Sequence, residues 1–277
     1  APWDHFPPKV GVMDYPWELY DTRKDWTQFE DVAAKNPAKL KEMQALFWKE
    51  ADKYQVKPLD ASLVGRLLTE RPSLSAGRTH FDWTRPITGI PNGDAPSILN
   101  ASYTFKADVD VPQAGADGML ITQGGRFGGY GFYILKNKPV FLWNLVDLKR
   151  FKWEGAELTP GRHTIEFEFK YDGMGAATMA FGSYAGIGQG GTGTLKVDGK
   201  PVVSQAMPHS IPFILAWDES MDIGSDTGTG VNDADYQVPF AFTGKINKIS
   251  LDIDRPQLSP EDIAKLKAAE AKKKADD

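Results

Sequence analysis

The stretch ASYTFKADVDV, Ala101–Val111, decides the fold. Ala101, Tyr103, Phe105, Ala107, Val109 and Val111 alternate with Ser102, Thr104, Lys106, Asp108 and Asp110. A period of two sends every apolar side chain to one side of an extended backbone, so this is a long strand with one buried and one wet face. His163–Tyr171 repeats the pattern, with Ile165, Phe167, Phe169 and Tyr171 set against Glu166, Glu168 and Lys170. Met119–Gln123, Tyr130–Leu135, Val140–Leu145, Gly193–Val197, Val202–Gln205 and Lys245–Asp254 are further strand-forming runs. Asp198-Gly199 sits between two of them and suits the paired positive-φ positions of a tight hairpin turn. Many short strands separated by turn signals indicate a two-sheet β-sandwich, here over 98–254.

On the N-terminal side the pattern changes. Prolines at 2, 7, 8 and 16 make the first residues an extended arm. Trp17–Tyr20 reads as a short strand. Asn36 stands where an N-cap belongs, and Pro37 occupies a first helical position, where its missing N–H costs nothing. Leu40, Met43, Phe47, Glu50/Ala51 and Tyr54 then recur at three- and four-residue intervals, predicting an amphipathic helix with a core-facing stripe. The chain therefore divides into 1–60 (arm, strand and helix), a connector over 61–97, the sandwich over 98–254 and a charged helical tail over 255–277. The connector carries Pro72, Pro86, Pro91 and Pro96, and the tail opens on Ser259-Pro260.

Composition narrows the function classes. With 277 residues, 41% hydrophobic and 25% charged, the chain has ample material for a packed core. A net charge of −5 argues against a nucleic-acid surface, which needs a basic face. No apolar run is long enough to span a bilayer, and APWDHFPPKV lacks a signal-peptide pattern, which reads as a mature or truncated start. Without cysteine there are no disulfides or thiolate metal sites. His5, His80, His163 and His209 are dispersed, with no zinc-ligand spacing.

WELYD (Trp17–Asp21), D-x-A-A-K-N-P (Asp31–Pro37) and a helix ending before P-L-D (Pro58–Asp60) resemble the C-terminal subdomain of bacterial formylglycine-dependent arylsulfatases. Gln123–Tyr130, Gly190–Lys200 and Val238–Ile246 look like the long extension carried by the larger members. The resemblance implies the non-catalytic C-terminal part of a sulfate-ester hydrolase. Its partner would be the N-terminal catalytic domain, whose cleft it would shape, in a periplasmic or secreted setting. The family's C/S-x-P-S-R nucleophile and its calcium-binding aspartate cluster are both missing here. Calcium would belong to the absent domain, with no cofactor in this chain and no hydrolysis by it alone. Leu67–Arg71 and Ala76–His80 echo fragments of the family signatures but read as polar linker. The sandwich itself resembles lectin-like jelly rolls of the laminin-G or concanavalin type, through its long first strand and the V-D-G-x-x-V hairpin.

An alternative function follows from Gly124–Asn144: a carbohydrate-binding module for sulfated or anionic glycans. Arg126 offers a charge for anionic groups, while Tyr130, Trp143 and Trp153 offer flat rings for sugar stacking. The competing reading places those rings in the core as alternate strand residues. The acidic loop Asp218–Gln237 supplies calcium candidates in Asp222, Asp226, Asp233 and Asp235, although the spacing is not that of an EF-hand and a solvated loop is the default. The glycine-rich run Gly173–Thr194 lacks the phosphate-loop pattern.

Overall fold

The computed structural model describes residues 14–59, 73–173, 188–212 and 219–254, with positions 260, 261 and 264. The chain forms two compact units, 1–71 and 72–277. Most of the expected helical tail and the first part of the connector lie outside the described residues.

In the first unit the expected helix is present as α1 (Pro37–Lys53), with proline in its first turn. Asn36 does not cap it through its side chain. Instead the Asn36 amide donates to the Val32 carbonyl at 3.0 Å. The expected strand at Trp17–Tyr20 is absent, and among the described residues no partner strand runs beside it. Leu19 is clasped instead: its N–H donates to Asp31 at 2.9 Å, and its carbonyl accepts from Val32 at 2.8 Å. The expected core-facing stripe is also corrected. Only Ala51 of α1 is buried, while Met43, Leu46, Phe47 and the following Tyr54 are exposed.

The second unit is an antiparallel β-sandwich. Its strands are β1 (His80–Trp83), β2 (Ile87–Ile90), β3 (Ser102–Val111), β4 (Gly118–Gly125), β5 (Gly128–Leu135), β6 (Lys138–Leu145), β7 (Lys149–Glu154), β8 (Gly161–Tyr171), β9 (Gln189–Val197), β10 (Lys200–His209), β11 (Met221–Ile223) and β12 (Lys245–Asp254). One sheet runs β1-β12-β3-β8-β9-β10 and the other β2-β11-β4-β5-β6-β7. Residues 80–90, expected as connector, supply an edge strand to each sheet. The β9–β10 turn is Asp198-Gly199 with φ of 51° and 77°, as their residue types require. The other edge of the first sheet is β10, which carries Pro201 and Pro208 and a register shift between Pro201 and Val203.

The first sheet alternates because its outer face is wet. There Arg162 pairs with Asp108, and Lys196 bridges Glu166 at 2.8 Å and Glu168 at 2.9 Å. The second sheet does not alternate: every residue of β4 is buried. Its inner face packs on the first sheet. Its outer face is covered by residues 226–240, where Val231, Tyr236 and Phe240 close over Met119, Tyr133, Val140 and Leu142. Tyr236 and Phe240 stack at 4.4 Å within this cover.

Between the sheets Phe141 of β6 and Phe167 of β8 lie face to face, with centroids 3.6 Å apart and planes 3° from parallel. The indole N–H groups find partners across the same gap. Trp143 donates to the Tyr103 hydroxyl at 2.7 Å, and Trp153 to the Gly193 carbonyl at 2.9 Å. Gly193 has no room for a side chain: a Cβ would fall 2.6 Å from the Trp153 ring and 2.7 Å from Phe167. Overpacking of this kind costs about 1–3 kcal/mol. Gly193→Ala is therefore expected to lower urea stability by that amount, whereas Gly93→Ala, with nothing within 4 Å, leaves it nearly unchanged. Equal stability of the two variants would contradict this packing.

Candidate functional site

The central strands of the second sheet are covered on both faces, so they offer ligand-binding groups at their ends. At one end the β4–β5 hairpin turns over Arg126 and Phe127, with Gly124 opposite Gly129 and Gly125 opposite Gly128. Gly124 has φ of +82°, and a Cβ there would lie 2.2 Å from the Gly128 carbonyl oxygen. A Cβ on Gly125 would lie 2.3 Å from the Thr229 hydroxyl. The glycines thus let the turn close tightly and rest against the neighbouring loop.

The β6–β7 turn lies beside it. Val146 and Asp147 adopt φ of 46° and 60°, a left-handed conformation that is an outlier for a β-branched residue. Buried Asn144 ties the two turns together. Its amide donates to the carbonyls of Gly125 at 2.9 Å and Arg126 at 2.8 Å, and its own oxygen accepts from Asp147 N–H at 2.9 Å. The tips leave large side chains in water: Phe127 is 67% exposed and Leu148 87%.

The acidic loop forms the third side. Thr229 accepts from the Arg126 backbone N–H at 3.1 Å, Asp233 accepts from the Arg126 guanidinium at 2.7 Å, and the Val231 carbonyl accepts from Arg150 at 3.2 Å. Arg150 also pairs with Asp147 at 2.7 Å. The Asp233 hydrogen bond raises the Arg126 pKa further, so the rim presents a permanent cation next to an exposed ring.

Of the residues expected to bind glycan, only Arg126 reaches this rim. Tyr130 and Trp153 are fully buried and Trp143 nearly so, all three in the inter-sheet core, where a pyranose cannot stack. The calcium candidates are likewise dispersed over separate partners. Asp222 accepts from Gly89 and Thr227 N–H groups at 2.7 and 2.9 Å. Asp226 accepts from the Tyr236 hydroxyl at 2.6 Å, Asp233 holds Arg126, and Asp235 takes the Tyr133 hydroxyl and Lys152. Each carboxylate has its own donors, and among the described residues no group of three or more His, Asp or Glu is arranged to hold a metal ion. Phe127, Asn144 and Leu148 escaped the sequence reading. The signal for Phe127 was present in G-G-R-F-G-G, where paired glycines bracket two residues that must face outward.

A second concavity lies within the first unit. Trp17, Phe47 and Trp48 line a groove of about 370 Å³ together with Tyr15, Pro16, Glu18, Tyr20 and Leu59.

No family model matches the sequence, and no curated protein matches it. Among solved structures, the IT-sialidase CBM40 of Ruminococcus gnavus bound to α2,3-sialyllactose is 11% identical, with a TM-score of 0.39, over 67% of this chain and 97% of that one. The leech intramolecular trans-sialidase is 10% identical with a TM-score of 0.38, over 68% of this chain and 27% of that one. Domains LG4-5 of the mouse laminin α1 chain are 12% identical with a TM-score of 0.36, over 65% of this chain and 42% of that one. All three scores lie below 0.5, a loose likeness.

The loop that borders the rim carries a titratable core group. Desolvation pushes Asp226 up to about 6, against the Tyr236 hydrogen bond, and nearby Asp222 and Glu219 add to the rise. Between about pH 4 and 6 the folded chain keeps a proton that the unfolded chain releases. Stability from this group is therefore greatest at low pH and is lost as pH rises through 6, a cost of about 3 kcal/mol. Asp226→Asn is expected to flatten the fall in urea midpoint between pH 5 and 7. His80, raised mainly by its bond to Asp252, slopes the same way. An equal slope in both proteins would contradict the burial of Asp226.

Proposed function

We propose that the sandwich is a non-catalytic recognition module that binds anionic, sulfated glycan at the rim formed by Arg126 and Phe127. One observation carries the reading: a half-exposed guanidinium and a largely exposed ring project from a single glycine-bracketed turn. A guanidinium presents paired N–H donors that match sulfate and carboxylate oxygens. The ring supplies a flat apolar face on which a pyranose can stack. Asp233 pairs with Arg126 at the rim, so an anionic group would take its place or share the guanidinium with it. Leu148 widens the apolar floor, and Asn144 keeps both tips in register.

The test is calorimetric titration with sulfated oligosaccharides at fixed salt. Arg126→Ala is expected to weaken binding about tenfold to a hundredfold, the worth of a lost charge-assisted hydrogen bond at roughly 1.5–3 kcal/mol. Phe127→Ala is expected to weaken it with little change in fold. Trp143→Ala acts differently, lowering stability by about 3–5 kcal/mol because it empties a core position. Binding that is absent from the wild type, or indifferent to Arg126, would overturn the proposal.

A second reading, the sulfatase tail that the sequence resemblance implies, is favoured by the exposure of Met43, Leu46 and Tyr54 along α1. Large apolar side chains left in water on one helix suit a face that docks on a larger body. Under this reading the chain co-purifies with a sulfatase catalytic domain, and Leu46→Asp with Tyr54→Asp abolishes the association. Retention of the complex by the double variant would count against it.

A further inference from the structure

The groove of the first unit is built from three aromatic rings that stand nearly at right angles to one another. Trp17 meets Phe47 at 5.1 Å and 73°, Trp17 meets Trp48 at 6.1 Å and 76°, and Phe47 meets Trp48 at 4.9 Å and 82°. The three pack edge to face on one another, and all three line the same groove of about 370 Å³. Glu18 lines it too, and its carboxylate accepts from the Tyr20 hydroxyl at 2.7 Å. That bond fixes an anionic group at the wall of a space lined otherwise by aromatic rings, Pro16 and Leu59.

These parts share one chemical preference. The face of an aromatic ring carries negative potential and attracts cations, most strongly for tryptophan. The chain's own Lys57 already obeys this, holding its ammonium 5.1 Å from the centroid of Trp48 while pairing with Asp52 at 2.8 Å. A primary ammonium is strongly hydrated and wants three hydrogen-bond acceptors, and Glu18 is the only carboxylate among the described lining residues. A quaternary ammonium has no N–H to satisfy. Its methyl groups gain from contact with the rings, and its charge gains from the π faces and the carboxylate together.

We propose that this groove binds a trimethylammonium head group. The site is independent of the glycan rim, lies wholly within the first unit and uses none of the same residues. Selectivity comes from charge and methylation at once: a neutral ligand of the same shape lacks the cation–π and Glu18 terms, and an unmethylated amine keeps its water.

The experiment is calorimetric titration of the full chain with choline, beside 3,3-dimethylbutan-1-ol, which replaces the charged nitrogen by carbon, and ethanolamine, which lacks the methyl groups. Choline is expected to bind saturably, with both comparison ligands at least about fivefold weaker, as the loss of a partly desolvated cation–π contact implies. Trp17→Ala should abolish binding. Glu18→Gln, a near-isosteric change at an exposed position, should weaken choline severalfold while leaving the affinity of the neutral alcohol as it was. A circular-dichroism spectrum matching the wild type separates loss of the site from loss of the fold. The proposal is overturned if the alcohol binds as tightly as choline, if ethanolamine does, or if choline does not bind. It is also overturned if affinity survives both substitutions.

Discussion

The arrangement of the sandwich depends on one constraint: the central strands β11, β4, β5 and β6 of the second sheet have no face left for solvent. Phe141 stacked on Phe167 fills its inner side, and the 226–240 cover fills its outer side. Removing either apolar layer from water is worth about 25 cal/mol per Å², so neither face is free to open cheaply. The strand register then fixes where any recognition chemistry can be placed. Arg126, Phe127 and Leu148 lie at turns, where the covered central strands reach water.

Polar groups inside the sandwich follow from the same constraint. Placing two tryptophans between the sheets puts two indole N–H donors where water cannot reach them, and each has found an acceptor, the Tyr103 hydroxyl and the Gly193 carbonyl. The cover is anchored the same way, with the Tyr133 and Tyr236 hydroxyls donating to Asp235 and Asp226. These bonds differ in consequence. Asp235 is balanced by Lys152, whereas Asp226 has carboxylate neighbours and is raised mainly by its burial. The cover is thus held by one compensated acid and one that is not.

Much of the first sheet was legible because one of its faces is wet. The alternation in Ala101–Val111 and His163–Tyr171 corresponds to β3 and β8, and Asp198-Gly199 forms the turn expected of it. The second sheet was legible as strands but not as surfaces. When both sides are covered, a period of two no longer separates buried from exposed, so the exposure of Tyr130 and Trp143 could not be read from their spacing. The element that buries the outer face comes from about 100 residues further along the chain, beyond the reach of any local pattern. β7, with sequence KRFKWE, went unread because charge masks its inward Phe151 and Trp153. β1, β2 and β11 are three or four residues long, too short to show a period. In the first unit the helical period was right and the burial it implied was not, since periodicity marks an apolar face without supplying the surface that covers it.

Edge strand β10 bears on how molecules behave when crowded. It is ten residues long and largely exposed, which ordinarily makes a strand a template for the backbone of another copy. Pro201 and Pro208 each remove an N–H donor, and the register shift after Pro201 kinks the row of groups that remains. The sheet therefore terminates itself. Copies packed side by side on a polymer, or repeated along one polypeptide, would stay separate particles instead of zipping into a continuous ribbon.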